Sequence, residues 1–153
     1  MLIKQFLNVN ECLHLNEYAK SLEYNLEING TGKAYDIENL SNNFLKKTIL
    51  KVCNFMFENY PQHNFSIKNS QFVMLKPNEW VSAHKDWVEK NKQVNNFNIL
   101  LQKPQNGGII LHDKSQVLLD EGDAYILDAS LIHGITTVKG NKDFYSLLLW
   151  FYK

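Results

Sequence analysis

The chain has 153 residues and a mass of 17.9 kDa, and 44% of its residues are hydrophobic, enough to bury one core without disulfides or a second domain. Its 16 basic residues, all lysines, balance 16 acidic ones, so charge supplies no reason to expect a polyanionic partner, and nucleic acid is not indicated. No stretch approaches the roughly 20 apolar residues of a membrane span, and the start lacks the apolar run of a signal peptide; a soluble, cytoplasmic chain, monomeric or homodimeric and without membrane contact, is expected.

In chain order, Asn8 with Glu11 three residues later forms a capping-box pattern, and Leu13, Leu15, Tyr18, Ala19 and Leu22 follow as an apolar stripe, which predicts a helix over 9–23. Turn chemistry around Asn29-Gly30-Thr31-Gly32 makes 24–37 a loop. Leu40, Phe44, Leu45, Ile49, Val52, Cys53 and Met56 recur at helical spacing and predict a second helix over 38–60. Cys12 and Cys53 lack metal-type spacing and read as reduced, buried small hydrophobes. Pro61 then interrupts the helical period. Beyond it come short β-type runs at 64–68, 71–76, 79–84, 94–102, 108–112, 115–119, 123–128, 132–138 and 143–152, the pattern of a sandwich or jelly roll. The expected organisation is a single domain, with 1–62 as a helical support region and 63–153 as a β core.

His84-Lys85-Asp86 is the informative step. Residues i and i+2 of an extended segment point to the same side, so this step presents an imidazole and a carboxylate toward one centre. A histidine from a neighbouring strand would complete a facial set of two histidines and one carboxylate, which leaves three coordination positions open and suits non-haem Fe(II) oxygenases. Two histidines compete for that role: His133 in Leu131-Ile132-His133-Gly134-Ile135 and His112 in Ile110-Leu111-His112-Asp113. His14 and His63 read as surface or capping residues.

Five segments in order add a family resemblance. They are Gln5-Phe6-Leu7-Asn8-Val9-Asn10-Glu11-Cys12, the approach Leu75-Lys76-Pro77-Asn78 to His84 and Asp86, the hairpin from Asn98 to Gln102 and Gly107 to Leu111, the run from Glu121 to Leu127 with His133-Gly134-Ile135-Thr136-Thr137-Val138-Lys139-Gly140, and the ending Ser146-Leu147-Leu148-Leu149-Trp150-Phe151. Together they resemble the 2-oxoglutarate- and Fe(II)-dependent dioxygenases, nearest to the prolyl 4-hydroxylase-like branch. The resemblance implies a mainly β fold, a double-stranded β-helix (jelly-roll, cupin-like) core packed against two N-terminal α-helices. It selects His133 over His112, which becomes an exposed strand histidine, and makes His84, Asp86 and His133 both the metal ligands and the catalytic set. It implies Fe(II), with 2-oxoglutarate and O₂ as cosubstrates and ascorbate as a compatible reductant. The implied activity is hydroxylation of a C–H bond in a peptidyl residue, prolyl-type, or in a small molecule.

The resemblance also implies a basic residue after the second histidine to hold the far carboxylate of 2-oxoglutarate. Asp143 or Phe144 stands there, depending on register. Lys142 shares strand parity with Phe144, Ser146, Leu148 and Trp150 and is the substitute if the strand begins early, with Lys139, Lys76 and Lys103 behind it. Leu75 stands where the resemblance implies a tyrosine. Lys142, Tyr145 and Ser146 are thus the expected cosubstrate residues, Trp80 and Tyr125 are further wall candidates, and the loops 24–37 and 85–96, the latter carrying Trp87, are expected to flank the mouth. Two other functions fit the same residues: a non-catalytic β-helix binding module, and a cupin-like metalloenzyme that does not use 2-oxoglutarate.

Overall fold

A computed structural model describes residues 1–86 and 92–153. Helix α1 (Val9–Lys20) opens with the expected capping box: the Asn8 side-chain oxygen accepts from the Glu11 N–H at 2.8 Å, and the Asn8 N–H donates to the Glu11 carboxylate at 2.9 Å. Replacing such a cap with alanine costs about 1 kcal/mol, so Asn8→Ala should lower Tm by roughly 2–4 °C, which thermal unfolding checks. Helix α2 (Asn43–Asn59) begins later than expected from residue 38, because the Asn42 side chain is the acceptor that meets the orphan N–H groups of Phe44 and Leu45.

The strands are β1 (Leu2–Ile3), β2 (Leu26–Glu27), β3 (Lys33–Asp36), β4 (Asn64–Leu75), β5 (Val81–His84), β6 (Val94–Gln102), β7 (Ile110–His112), β8 (Ser115–Val117), β9 (Ala124–Asp128), β10 (His133–Ile135) and β11 (Phe144–Tyr152). Among the described residues they form two antiparallel sheets, a large one in the order β1-β9-β6-β11-β4-β3-β2 and a small one in the order β5-β10-β7-β8. The segment 1–62 is therefore not purely helical: β1 extends one edge of the large sheet beside β9, and β2 and β3 extend the other beside β4.

Period-2 alternation along β11 sorts its side chains between two apolar layers. Tyr145, Leu147, Leu149 and Phe151 face the helices and join Leu15, Leu45, Val52, Phe72 and Phe97 in one core. Phe144, Ser146, Leu148 and Trp150 face the space between the sheets: Phe144 packs with Leu75, Leu100, Val117 and Leu119, while the other three border a cavity. The helices thus stiffen the back of the large sheet, and its front forms a wall for whatever lies between the sheets. Both cysteines are free, Cys12 buried and Cys53 half-buried; burial pushes the Cys12 thiol up to about 11, so it stays protonated and packs as a small hydrophobe. No helix among the described residues is long and apolar enough to cross a membrane.

Candidate metal centre

His84 ends β5 and His133 begins β10, and the two are direct partners across the antiparallel pair. Directly opposed residues present their side chains to the same face, and here the rings lie 4.4 Å apart between centroids. Asp86 sits just past the end of β5, where its N–H donates to the Ala129 carbonyl at 3.0 Å. One ligand atom from each of His84, Asp86 and His133 lies within 4.8 Å of the others.

Each imidazole is oriented from behind. Nδ1 of His84 lies 2.6 Å from the Ser82 carbonyl and Nδ1 of His133 lies 2.9 Å from the Leu131 carbonyl. A carbonyl can only accept, so Nδ1 carries the proton in both rings and Nε2 is the atom turned to the centre. The carboxylate is divided likewise: Asp86 Oδ2 accepts from the Asn96 amide at 3.0 Å, while Oδ1 lies 3.2 Å from His84 Nε2 and 3.6 Å from His133 Nε2. A divalent ion with nitrogen and oxygen ligands at about 2.1 Å separates adjacent octahedral ligands by about 3 Å, so the donor set fits such an ion with little movement.

Burial pushes the Asp86 carboxyl up, but hydrogen bonds from His133 and His84, the His133 charge and the Asn96 amide outweigh it and hold the group far below the usual carboxylate range. The hydrogen bond to Asp86 raises the His84 imidazole, against its burial. Asp86 is therefore ready as an anion at any ordinary pH, whereas His84 must lose a proton to ligate. Metal affinity should fall as pH drops through the raised His84 value, by about tenfold per pH unit when one proton is displaced, and Fe(II) titrations at a series of pH values check this.

The three side chains border a cavity of about 480 Å³ between the sheets. Val81, Ile110 and Ile135 face Val73, Leu148 and Trp150 across it, with Asn96, Asn98, Gln71 and Ser146 as polar wall residues and Glu27, Ile28 and Asn29 also lining it. Asn96, Asn98 and Gln71 were not among the expected site residues. Their signal lies in β6, where Asn95, Asn96 and Asn98 interrupt the apolar residues between Val94 and Leu101 in a strand that is buried throughout.

The other expected residues fall elsewhere. Lys142 precedes β11, which begins only at Phe144, so strand parity does not govern it; it is exposed and its Nζ donates to Glu121 at 3.2 Å, away from the cavity. Tyr145 has the opposite parity to Ser146 and packs edge-on against Tyr24 on the helix side, ring centroids 5.9 Å apart. Of the expected cosubstrate residues, Ser146 alone lines the cavity. Lys76, Lys103 and Lys139 are exposed and do not line it, nor do Trp80 and Tyr125. Trp87 lies outside the described residues. His112 is half-buried rather than exposed: it is the partner of His133 on β7, but its ring nitrogens lie 2.9 Å from the Tyr125 hydroxyl and 3.3 Å from the Asp128 carbonyl, which keeps it out of the cluster.

No protein-family model and no curated protein sequence matches the chain. Solved structures do. A viral collagen prolyl hydroxylase from Paramecium bursaria Chlorella virus-1, in complex with 2-oxoglutarate, superposes with a TM-score of 0.76 at 16% identity, covering 99% of this chain and 94% of that one. A Pseudomonas putida prolyl-4-hydroxylase gives 0.79 at 13% identity, covering 99% and 90%. HygX from Streptomyces hygroscopicus, with nickel and 2-oxoglutarate bound, gives 0.77 at 10% identity, covering 99% and 81%. At such identities the likeness is one of architecture, and it extends over nearly the whole chain: this protein has the double-stranded β-helix fold of the prolyl hydroxylases and other 2-oxoglutarate- and Fe(II)-dependent oxygenases.

Proposed function

We propose that the chain is an Fe(II)- and 2-oxoglutarate-dependent oxygenase that holds iron through His84, Asp86 and His133 and hydroxylates a C–H bond in a peptidyl residue or a small molecule. The observation that carries this reading is the convergence of three oriented ligand atoms on the wall of a cavity. Two imidazoles and one carboxylate on one side leave the opposite side for exchangeable ligands, the arrangement that a chelating cosubstrate and O₂ together require. Neighbours with 2-oxoglutarate bound support the choice of cosubstrate.

When bound, iron with a 2-oxo acid supplies an oxidation in which one oxygen atom of O₂ goes to the oxo acid, which loses CO₂, and the other goes into the substrate C–H bond. The chain's own contribution is position and charge. The Ser82 and Leu131 carbonyls hold the two imidazoles in the tautomer that offers Nε2. Asn96 fixes the Asp86 carboxylate so that Oδ1 faces the centre, and the single negative charge there offsets part of a divalent charge in a half-buried site. Val81, Ile110, Ile135 and Leu148 give the reacting space an apolar wall beside the ligands.

The test is an anaerobic titration of the whole chain with Fe(II), followed by saturating 2-oxoglutarate and then O₂. One tightly held Fe(II), a visible charge-transfer band on adding the oxo acid, and formation of succinate are expected. Absence of Fe(II) binding beyond that of an Asp86→Ala chain would remove the metal assignment. Iron binding with no band would favour a metalloenzyme that does not use 2-oxoglutarate, and neither a band nor succinate, with weak iron binding, would favour a non-catalytic binding module.

A further inference from the structure

The cavity's charge is mismatched to a dicarboxylate. 2-Oxoglutarate would chelate a metal through one carboxylate and its keto oxygen, leaving a second carboxylate for the cavity wall to meet. A carboxylate removed from water needs a cation or several charge-assisted hydrogen bonds to offset its lost hydration. The chain contains no arginine, and among the described residues no lysine lines the cavity. Among the described residues, the one charged side chain that lines it apart from the three ligands is Glu27, a like charge.

The end of the intersheet space beyond Ser146 is apolar in a paired way. Phe144 and Leu75, two departures that stand 69 positions apart in sequence, are direct partners across β11 and β4 and are 1% and 0% exposed. They are packed with Leu100, Val117 and Leu119, so a charge at either position would have no counter-charge within that layer. The neutral donors on the cavity wall do not discriminate. Ser146 and the Gln71 amide can serve a ketone, hydroxyl or amide as well as a carboxylate, and neither carries the positive charge that would offset a buried anion; the Asn98 amide already donates to the Asn96 carbonyl at 3.2 Å.

We infer that this chain binds its 2-oxo acid through the chelating end alone, so that an acid of the same length with an uncharged tail binds at least as tightly as 2-oxoglutarate. The inference rests on the proposed iron-oxygenase reading, which names 2-oxoglutarate on the strength of the fold; the cavity wall widens the cosubstrate class to 2-oxo monocarboxylic acids.

The deciding measurement is binding, not turnover. The Fe(II)-loaded chain is titrated anaerobically with 2-oxoglutarate and separately with 2-oxopentanoate, following the visible charge-transfer band. The expected result is a dissociation constant for 2-oxopentanoate equal to or below that for 2-oxoglutarate. A preference for 2-oxoglutarate beyond about threefold overturns the inference while leaving the iron reading intact, since a charge-assisted contact is the source of such a preference. Fe(II) binding with no band from either acid overturns both. Ser146→Lys, which adds a cation to the wall, should tighten 2-oxoglutarate about tenfold and leave 2-oxopentanoate unchanged; an equal response of the two acids counts against the inference.

Discussion

Asp86→Ala should abolish measurable turnover and lower Fe(II) affinity by more than ~100-fold, a larger loss than the 10–100-fold typical of a partner that only orients a ligand. The reason lies in the charge balance of the cluster. Asp86 supplies its anion, and two imidazoles with no carboxylate between them provide neither a third ligand nor a counter-charge. The same substitution should change the acid limb of the stability curve measured without metal. The native carboxyl is held below its ordinary value, so it contributes stability that is present above the unfolded carboxylate pKa and is lost as pH falls through the folded one. In the variant that contribution is absent at every pH, and the fall in stability on acidification should be shallower. Asp86→Asn, which keeps the shape and removes the charge, should reproduce both effects. Chemical denaturation across a pH series together with Fe(II) titration checks the pair, and a variant that keeps its iron would end the assignment of this residue as a ligand.

The cluster was legible in sequence because its logic is local. The step from His84 to Asp86 needs nothing but an extended backbone, and the capping box at Asn8 and Glu11 is likewise a matter of three residues. The choice between His133 and His112 was not local. Both are paired on the same small sheet and lie on its inward face, and what separates them is the Tyr125 hydroxyl and the Asp128 carbonyl that hold His112 aside, contacts with no trace in periodicity. Short strands were illegible for a related reason. β1, β2 and β3 are two to four residues long, too short to show a period, and they exist because the edges of a sheet built from longer strands offer unpaired backbone groups. The break expected between 68 and 71 marks a different feature from the one assigned to it. β4 continues through it, but its register against β11 shifts between Leu148 and Trp150, and Ser70 bridges the irregularity by donating to the Ser66 carbonyl and accepting from the Trp150 N–H. A polar interruption in a strand pattern can signal a bulge instead of an end. Lys142 shows the converse: it precedes Phe144, the first residue of β11, where alternation no longer constrains direction, and its side chain turns to Glu121.

Gly134→Ala should separate the two halves of the candidate centre. Between the pairs His133–His84 and Ile135–Val81, one residue on β10 faces two on β5, Ser82 and Ala83, which is a β-bulge. The bulge brings the backbone of β5 close to Gly134: a Cβ there would lie 2.8 Å from the Val81 carbonyl oxygen and 3.2 Å from both the Ala83 Cα and N. These are main-chain atoms fixed by sheet pairing, so the strands themselves must move apart, and overpacking of this kind costs about 1–3 kcal/mol. The displacement falls on the residue next to His133 and on the strand that ends in His84. Ligand sets tolerate about half an ångström of misplacement, so Fe(II) affinity should drop by about tenfold or more in a chain that remains folded. Fe(II) titration well below the variant's Tm separates this from loss of folded protein, with a substitution on the helix side, Asn8→Ala, as the control that lowers Tm and leaves affinity alone. If Gly134→Ala bound iron as the parent does despite a lowered Tm, the approach of β5 to β10 would be a packing requirement only, and the alignment of the two histidines would owe nothing to the glycine.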